Sequence, residues 1–224
     1  MAQIVSIPKR VDELLAEETG WHIGDGSMNF YLNRGKLRGI YQLRGHILDD
    51  RHHYLNRIKP VFESLYGIKI SLREMPSTRV FGFQVWNDEL VKFKQGLGLP
   101  LGKKSEIVIP KIFLKEEALK VGIIRSIFDT DGCVYLEKKN HKLYPRLQVT
   151  TISEKLAVQL LDLLNNLGIR TTMSKDSYRD QGNRMLAYVI CTRGIEMFDK
   201  FMKIVQPANL KHIQKYEKGI KTFK

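Results

Sequence analysis

The chain has 224 residues, 43% of them hydrophobic, with 37 lysine and arginine residues against 24 aspartate and glutamate residues. A chain of this length can bury a substantial core, as one large domain or two small ones. The net charge of +13 favours a polyanionic partner such as nucleic acid, although charge alone does not exclude a ribosomal-type or merely soluble basic protein. The two cysteines lack CxxC spacing, and no segment approaches the ~20 apolar residues of a membrane span. Composition therefore predicts a soluble intracellular protein, cytoplasmic or organellar, with Cys133 and Cys191 as buried thiols.

The first half of the chain alternates between helical and extended patterns. Asp25-Gly26 ends the first helical segment, and the glycine suits a left-handed C-terminal cap. A two-residue alternation of apolar and polar side chains then predicts a strand. Asp49 or Asp50 can cap the helix that Gly67 ends. The predicted elements are a helix at 15–25, strands at 27–33 and 40–48, a helix at 51–67, strands at 68–74 and 79–86, and a helix at 88–97.

The second half repeats this order. Asp131-Gly132 ends its first helical segment, Ser153 caps the next helix and Gly168 ends it. The fold class predicted is α+β, with two pseudo-symmetric αββαββα units. The predicted division is 1–99 for the first unit, 100–115 for a linker rich in glycine and proline, and 116–224 for the second unit. The elements of the second half are a helix at 121–131, strands at 133–138 and 143–151, a helix at 154–168, strands at 169–175 and 185–192, and helices at 195–205 and 209–219.

Small residues recur at every fourth position in the first helix of each unit. Residues four apart share one face of a helix, and small side chains let two helix backbones approach closely. Glycine within a helix costs about 1 kcal/mol relative to alanine, so it needs a packing reason. The pattern therefore predicts that the two helices pack against each other at an approximate two-fold axis. The small residues are Ala16, Gly20 and Gly24 in the first helix and Gly122, Ser126 and Thr130 in the second.

An aspartate ends each of these helices, Asp25 in one unit and Asp131 in the other. A carboxylate there faces the negative end of the helix dipole, and two such carboxylates repel each other unless a cation lies near them. Oxygen ligands select a hard cation such as Mg²⁺. The alternative is that Asp-Gly is merely a favourable turn dipeptide, but its occurrence in both copies favours a metal site. Asp129 interrupts the repeat, because Ile23 is its counterpart, and it is not assigned to the metal.

The segments LAEETGWHIGDG and VGIIRSIFDTDG, with the elements that follow each, resemble the LAGLIDADG homing endonucleases from about Asp12 to Gly219. The resemblance implies that each unit has a four-stranded antiparallel sheet with helices on one face, and that the two sheets form a DNA-binding saddle. It implies that Asp25 and Asp131 bind a divalent metal, with Gly24 and Thr130 beside them in the metal site. It also implies a monomeric, intron-encoded hydrolase that uses Mg²⁺ or Mn²⁺ and binds Ca²⁺ without cutting. The expected reaction is a double-strand break with short 3′ overhangs in a long DNA site.

The family usually places a basic residue near the scissile phosphates. The segments PLGKK and QPANLK follow the last helix of each αββαββα unit, so Lys104 and Lys211 are the candidates, with Lys103 close behind. A lysine ammonium there can stabilise charge that develops in the transition state; the alternative is a solvated surface lysine. The family often has glutamine or lysine at the end of the second strand, whereas this chain has Ile47-Leu48 and Thr151-Ile152.

Strand alternation places polar side chains on one face of each predicted sheet. Arginine, asparagine, glutamine and glutamate are the side chains that read base edges in the major groove, although an ordinary solvated sheet face is also polar. Trp21 and Trp86 are interpreted as packing residues, and His22, His52 and His53 as structural or surface residues. The predicted DNA contacts are Asn29, Tyr31, Asn33, Arg38, Gln42, Arg44, His46, Lys69, Ser71 and Arg73 in the first unit, and Tyr135, Glu137, Lys139, Tyr144, Arg146, Gln148 and Thr150 in the second.

Two other readings stay open. The first is a nucleic-acid-binding protein of the same fold that does not cut, such as an intron RNA maturase or a transcription regulator. The second is an interaction protein that is not a nuclease, which would leave the basic sheet faces and paired aspartates unexplained. An intein-associated nuclease is disfavoured, because the chain lacks the terminal residues of self-splicing chemistry.

Overall fold

The computed structural model describes residues 4–33, 35–139, 141–180 and 183–221, without the side chains at 139, 178–180, 183 and 184. The turn expected near Asn140, between the predicted strands at 133–138 and 143–151, lies outside the described part of the chain, as does the side chain of the predicted contact Lys139. None of the helices in that part has the length and apolar character needed to cross a bilayer.

Each half of the chain builds one four-stranded antiparallel sheet, and the predicted fold class is confirmed. The first sheet has the order β1-β2-β4-β3 and the second the order β5-β6-β8-β7. The first half contains α1 (Glu13–Asp25), β1 (Gly26–Asn33), β2 (Lys36–His46), α2 (Arg51–His53), α3 (Lys59–Tyr66), β3 (Arg73–Met75), β4 (Val80–Trp86) and α4 (Asp88–Gly96). The second contains α5 (Glu117–Asp131), β5 (Gly132–Lys139), β6 (Lys142–Thr151), α6 (Glu154–Asn166), β7 (Thr171–Asp180), β8 (Asn183–Arg193), α7 (Ile195–Ile204) and α8 (Leu210–Ile220).

The inner face of the first sheet packs on its helices through aromatic rings. Tyr41 of β2 stacks on Phe62 of α3 with 5.5 Å between ring centroids, and Phe83 of β4 meets the same ring edge-on at 4.7 Å. All three side chains are buried. Because neighbouring residues of a strand point to opposite faces, this packing directs the polar residues of β1 and β2 away from the helices.

The third strand and the second helix of the first half differ from prediction. Residues 68–74 were predicted as a strand, but only Arg73–Met75 pairs with β4. Ile68 and Ile70 still turn inwards, so the alternation was correct and only the hydrogen-bonded ladder is shorter. The predicted helix at 51–67 contains a π-helical turn, Tyr54–Ile58, between α2 and α3. Pro60 lacks the N–H that would bond to the carbonyl of Asn56, and the helix widens just before it.

The first helix of each unit, α1 and α5, packs on its counterpart through the predicted stripe of small residues. A Cβ atom added to Gly20 would lie 1.9 Å from Ser126 Oγ and 2.8 Å from the carbonyl of Ile123. A Cβ atom on Gly24 would lie 2.0 Å from Thr130 Oγ1. The helices therefore cross with almost no space between their backbones, which brings their C-terminal ends together.

We expect Gly20→Ala to destabilise the fold by about 1–3 kcal/mol, because the added methyl group meets a backbone carbonyl that cannot rotate away. Urea unfolding measures the change. Gly96→Ala is the matched control, since nothing lies within 4 Å of a Cβ there. The control should be neutral or stabilising by up to about 1 kcal/mol, because alanine restricts the unfolded chain. Equal stability of Gly20→Ala and wild type would contradict the close packing of α1 and α5.

The predicted left-handed caps at Gly26 and Gly132 are wrong. Both glycines have extended backbones, with φ values of −81° and −76°, and each is the first residue of a strand. Glycine is required there for space, since a Cβ atom on Gly26 would lie 2.5 Å from His22 Cα and one on Gly132 would lie 2.2 Å from the carbonyl of Phe128. The chain thus turns from helix directly into strand, and the preceding aspartate stays at the junction.

Candidate metal and DNA site

The Asp25 and Asp131 carboxyl groups end the two packed helices. A Cβ atom on Gly24 would lie 3.4 Å from Asp131 Cγ, so the Asp131 carboxyl group lies beside the residue that precedes Asp25. Asp25 is half-buried and Asp131 is exposed, so solvent reaches both. Tyr54 donates a hydrogen bond of 2.8 Å from its hydroxyl group to Asp25 Oδ2. The two acidic groups are therefore close together and accessible.

The electrostatic environment disfavours negative charge on both aspartates. Partial desolvation, followed by the neighbouring Asp131 and Asp50 carboxylates, raises the pKa of Asp25 to about 8, although Tyr54 and Lys211 oppose the shift. Surrounding protein also raises the pKa of Asp131, against the lowering effect of Lys104 and Lys211. A nearby divalent cation would stabilise the charged form of carboxylates whose ionisation is disfavoured in this way.

A lysine lies at the C-terminal end of each helix. Lys104 Nζ donates to the carbonyl of Ile23 at 2.9 Å and also to the carbonyl of Gly24. Lys211 Nζ reaches the carbonyl of Thr130 at 3.4 Å. These are carbonyls that a helix end leaves without intrahelical partners, and a cation is favoured near them. Burial lowers the pKa of Lys104, while Asp131 and Asp25 raise it. Lys103, the second choice for this position, is exposed.

Asp50 is a third acidic group near the centre, and sequence reasoning considered it only as a possible helix cap. Its side chain is 5% exposed, and its Oδ1 atom accepts hydrogen bonds from Lys211 Nζ at 2.7 Å and Asn209 Nδ2 at 2.8 Å. An open depression of about 440 Å³ adjoins Asp25, Asp50 and Lys211. No pattern in the local sequence reveals this role, because both hydrogen-bond donors come from the other end of the chain.

The donor set fits a hard divalent cation. Two carboxylates and the adjacent backbone carbonyls of Gly24 and Thr130 supply only oxygen atoms, which Mg²⁺, Mn²⁺ and Ca²⁺ prefer. Within the described residues, no three histidine, cysteine, aspartate or glutamate side chains are arranged to hold a metal ion by themselves. The remaining ligands would therefore have to be water or the substrate.

Asp129, which was not assigned to the metal, has a structural role in the described contacts. It is buried, and its Oδ1 atom accepts hydrogen bonds from the backbone N–H groups of Ala208 at 3.0 Å and Asn209 at 2.9 Å. These contacts connect the end of α5 to the start of α8. They therefore help to place Lys211, which follows Asn209 by two residues.

The outer faces of both sheets carry the predicted polar residues. In the first sheet, cross-strand pairing brings Tyr31 opposite Arg38. In the second, it brings Tyr135 opposite Arg146 and Glu137 opposite Tyr144, with an ion pair between Glu137 and Arg146. The other predicted positions described on these faces or beside them are exposed or half-buried: Asn29, Asn33, Gln42, Arg44, His46, Lys69, Ser71, Arg73, Gln148 and Thr150.

Two outer-face residues of β4 were missed. Gln84 Oε1 accepts hydrogen bonds from Gln42 at 3.3 Å and Arg44 at 3.4 Å. Trp86, interpreted as a packing residue, is 42% exposed beside a groove of about 630 Å³ over the first sheet. That interpretation is wrong; the alternation that buries Phe81 and Phe83 already predicts that Gln84 and Trp86 point outwards.

The histidine and Trp21 interpretations agree with the structure, and one cysteine interpretation does not. Trp21, His22 and His53 are buried, and Cys191 is buried as predicted. Cys133 is only half-buried, and it pairs with Gln148 on the outer sheet face. Cys133 is the second residue of β5, and its side chain points to the polar outer face because successive side chains of a strand alternate between the two faces.

Comparison with known proteins identifies the fold. Residues 118–204 match the sequence model of the LAGLIDADG-like domain family. No curated protein sequence matches the chain. Among solved structures, mesophilic variants of the homing endonuclease I-DmoI align over 86% of this chain and 90% of theirs, with 18% identity and a TM-score of 0.62.

Two solved DNA complexes have the same architecture. The complex of I-DmoI with DNA and Mn aligns over 86% of this chain and 96% of its own, with 20% identity and a TM-score of 0.61. The LAGLIDADG meganuclease I-AabMI, bound to uncleaved DNA, aligns over 93% and 90%, with 13% identity and a TM-score of 0.55. The predicted resemblance is thus confirmed: residues 118–204 are similar to the LAGLIDADG-like domain family, and the chain has the two-unit fold of the single-chain LAGLIDADG homing endonucleases.

Proposed function

We propose that this protein is a site-specific DNA endonuclease that uses a divalent metal to cut both strands of a long target, leaving short 3′ overhangs. The observation that carries the proposal is the placement of Asp25 and Asp131 at the apposed ends of α1 and α5, with Lys104 and Lys211 beside them. The protein acts as a monomer, because both halves of the centre come from one chain. Its gene is proposed to lie within an intron, as the family resemblance implies.

The two sheets bind the DNA duplex and the centre between them carries out the reaction. Arginine on the outer faces donates to base edges, glutamine and asparagine both donate and accept, and surplus lysines neutralise phosphates. A divalent cation held by Asp25, Asp131 and the carbonyls of Gly24 and Thr130 would activate water and stabilise the leaving oxygen. Lys104 and Lys211 place ammonium groups where negative charge develops on the phosphate.

Cleavage of a library of candidate sites, with Mg²⁺ and without it, tests the proposal. We expect linear product only with Mg²⁺ or Mn²⁺, cut positions on the two strands that leave 3′ overhangs, and binding without cutting in Ca²⁺. Binding that weakens steeply with salt but never leads to cutting would identify a non-cleaving nucleic-acid-binding protein instead. Weak binding at every salt concentration would contradict a nucleic-acid partner.

Metal binding should depend on pH. The pKa of Asp25 is raised from 3.8 to about 8, so its protonated form stabilises the metal-free fold at low pH, and that contribution is lost as the pH rises through about 8. A cation must displace this proton. We expect the affinity for Ca²⁺ to rise by up to about tenfold per pH unit between about pH 6 and pH 8. Calorimetric titration at several pH values measures it. A flat wild-type profile would contradict the raised pKa.

A further inference from the structure

Lys104 and Lys211 occupy similar positions but have different partners. Lys104 donates to carbonyls at the end of α1, and Lys211 donates to a carbonyl at the end of α5. Lys211 also forms an ion pair with Asp50, whose side chain is 5% exposed while that of Lys211 is 19% exposed. Among the described residues, Lys104 forms no ion pair with a carboxylate. The two halves of the site are therefore related by approximate symmetry, but their two lysines have different partners.

Asp50 is itself held rigidly. Besides Lys211, its Oδ1 atom accepts a hydrogen bond from Asn209 Nδ2, and its Oδ2 atom accepts one from the backbone N–H of His46 at 2.7 Å. The same Asn209 amide group donates to the carbonyl of Asp129 at 2.9 Å. Charge-assisted hydrogen bonds of this kind are strong and directional where water is excluded. Asp50, in the first unit, thus fixes the position of the Lys211 ammonium group, which belongs to the first turn of α8.

The second unit has serine at the position that corresponds to Asp50. Asp50 immediately precedes α2, and Ser153 immediately precedes α6. Ser153 Oγ donates to the carbonyl of Ile107 at 2.7 Å and accepts from the N–H of Leu156 at 3.2 Å. It therefore acts as a helix cap and offers no negative charge to Lys104.

We propose that Asp50 is a positioning residue that holds Lys211 in place for cleavage of one DNA strand, while Lys104, whose described hydrogen bonds go to carbonyl groups, serves the other strand. This inference rests on the proposed endonuclease function. The two strands are consequently cut by chemically different sites, and only one of them depends on Asp50.

Cleavage measured separately on the two strands tests the proposal. A target duplex carries a different fluorophore on each strand, and Asp50→Asn and Asp50→Ser are compared with wild type. Asp50→Ser copies the residue of the second unit. We expect one strand to be cut about 10–100-fold more slowly and the other to change by less than about threefold. Equal slowing of cleavage on both strands would overturn the proposal, and so would unchanged cleavage rates on both strands.

A second measurement needs neither DNA nor metal. Lysine ammonium groups in stable ion pairs exchange protons with water slowly enough to give resonances in ¹⁵N-lysine-labelled protein. We expect the wild-type spectrum to contain an ammonium resonance that is absent from the spectrum of Lys211→Arg, and this absence assigns the resonance to Lys211. We expect the same resonance to be lost in Asp50→Asn. Its persistence in Asp50→Asn would overturn the proposal.

These outcomes separate the proposal from the function on which it rests. If wild type cuts neither strand, the proposed function fails and the ammonium spectrum still decides the role of Asp50. If neither Asp50 variant folds, the wild-type spectrum decides it: absence of a Lys211 resonance overturns the proposal, and its presence supports the fixed ion pair.

Discussion

Replacing either central aspartate by asparagine should lower the cleavage rate by about a thousandfold or more, equivalent to about 4 kcal/mol of transition-state stabilisation. Asparagine keeps the size of the side chain but cannot provide the negative charge that a divalent cation requires. The variants are Asp25→Asn and Asp131→Asn, and initial rates of cutting on a cleavable site measure the effect.

DNA binding without metal should survive these substitutions, because the outer sheet faces proposed to contact the bases are unchanged. Fluorescence anisotropy measures the affinity. Asp162→Asn is the matched control, since this aspartate is exposed on α6 and the substitution removes the same charge. The control should cut at the wild-type rate. Undiminished cutting by both Asp25→Asn and Asp131→Asn would refute the assignment of the metal site.

The second large effect concerns an ion pair in the core of the first unit. Lys94 of α4 and Glu18 of α1 form an ion pair in which both side chains are completely buried. The hydroxyl groups of Tyr41 and Tyr66 also donate to Glu18, at 2.9 Å and 3.0 Å. Lys94→Met leaves the carboxylate buried without its counter-ion, so we expect a loss of about 3–5 kcal/mol in the free energy of unfolding.

A neighbouring ion pair provides the control for this prediction. Lys92 lies on the same helix and pairs with Glu89 at 3.0 Å, but the two side chains are 61% and 68% exposed. Solvent screens this pair, so Lys92→Met should cost less than about 1 kcal/mol. The double variant Glu18→Gln with Lys94→Met should recover part of the lost stability, because the unpaired charge is gone. Similar urea midpoints for Lys92→Met and Lys94→Met would contradict the prediction.

Local patterns identified most of the elements, because a helix and a strand each impose a short-range periodicity on the buried side chains. The repeated stripe of small residues also predicted which two helices meet, and the aspartates after each stripe predicted a shared acidic site. The third strand was predicted too long, since alternation reports which way a side chain points and not whether its backbone has a hydrogen-bonded partner. The domain boundaries and the individual metal and DNA contacts remain predictions.

The position of Asp50 depended on tertiary structure alone. Its hydrogen bonds to Asn209 and Lys211 join residues 159 and 161 positions apart, and no short-range pattern encodes such a pairing. The same is true of Lys94 and Glu18, 76 positions apart, which look like ordinary surface charges in the sequence. Sequence alone therefore determined the two-fold repeat and its acidic pair, because both follow from spacing along a helix. The difference between Lys104 and Lys211 could be seen only in the tertiary structure, because packing determines which charged groups are desolvated and which groups they contact.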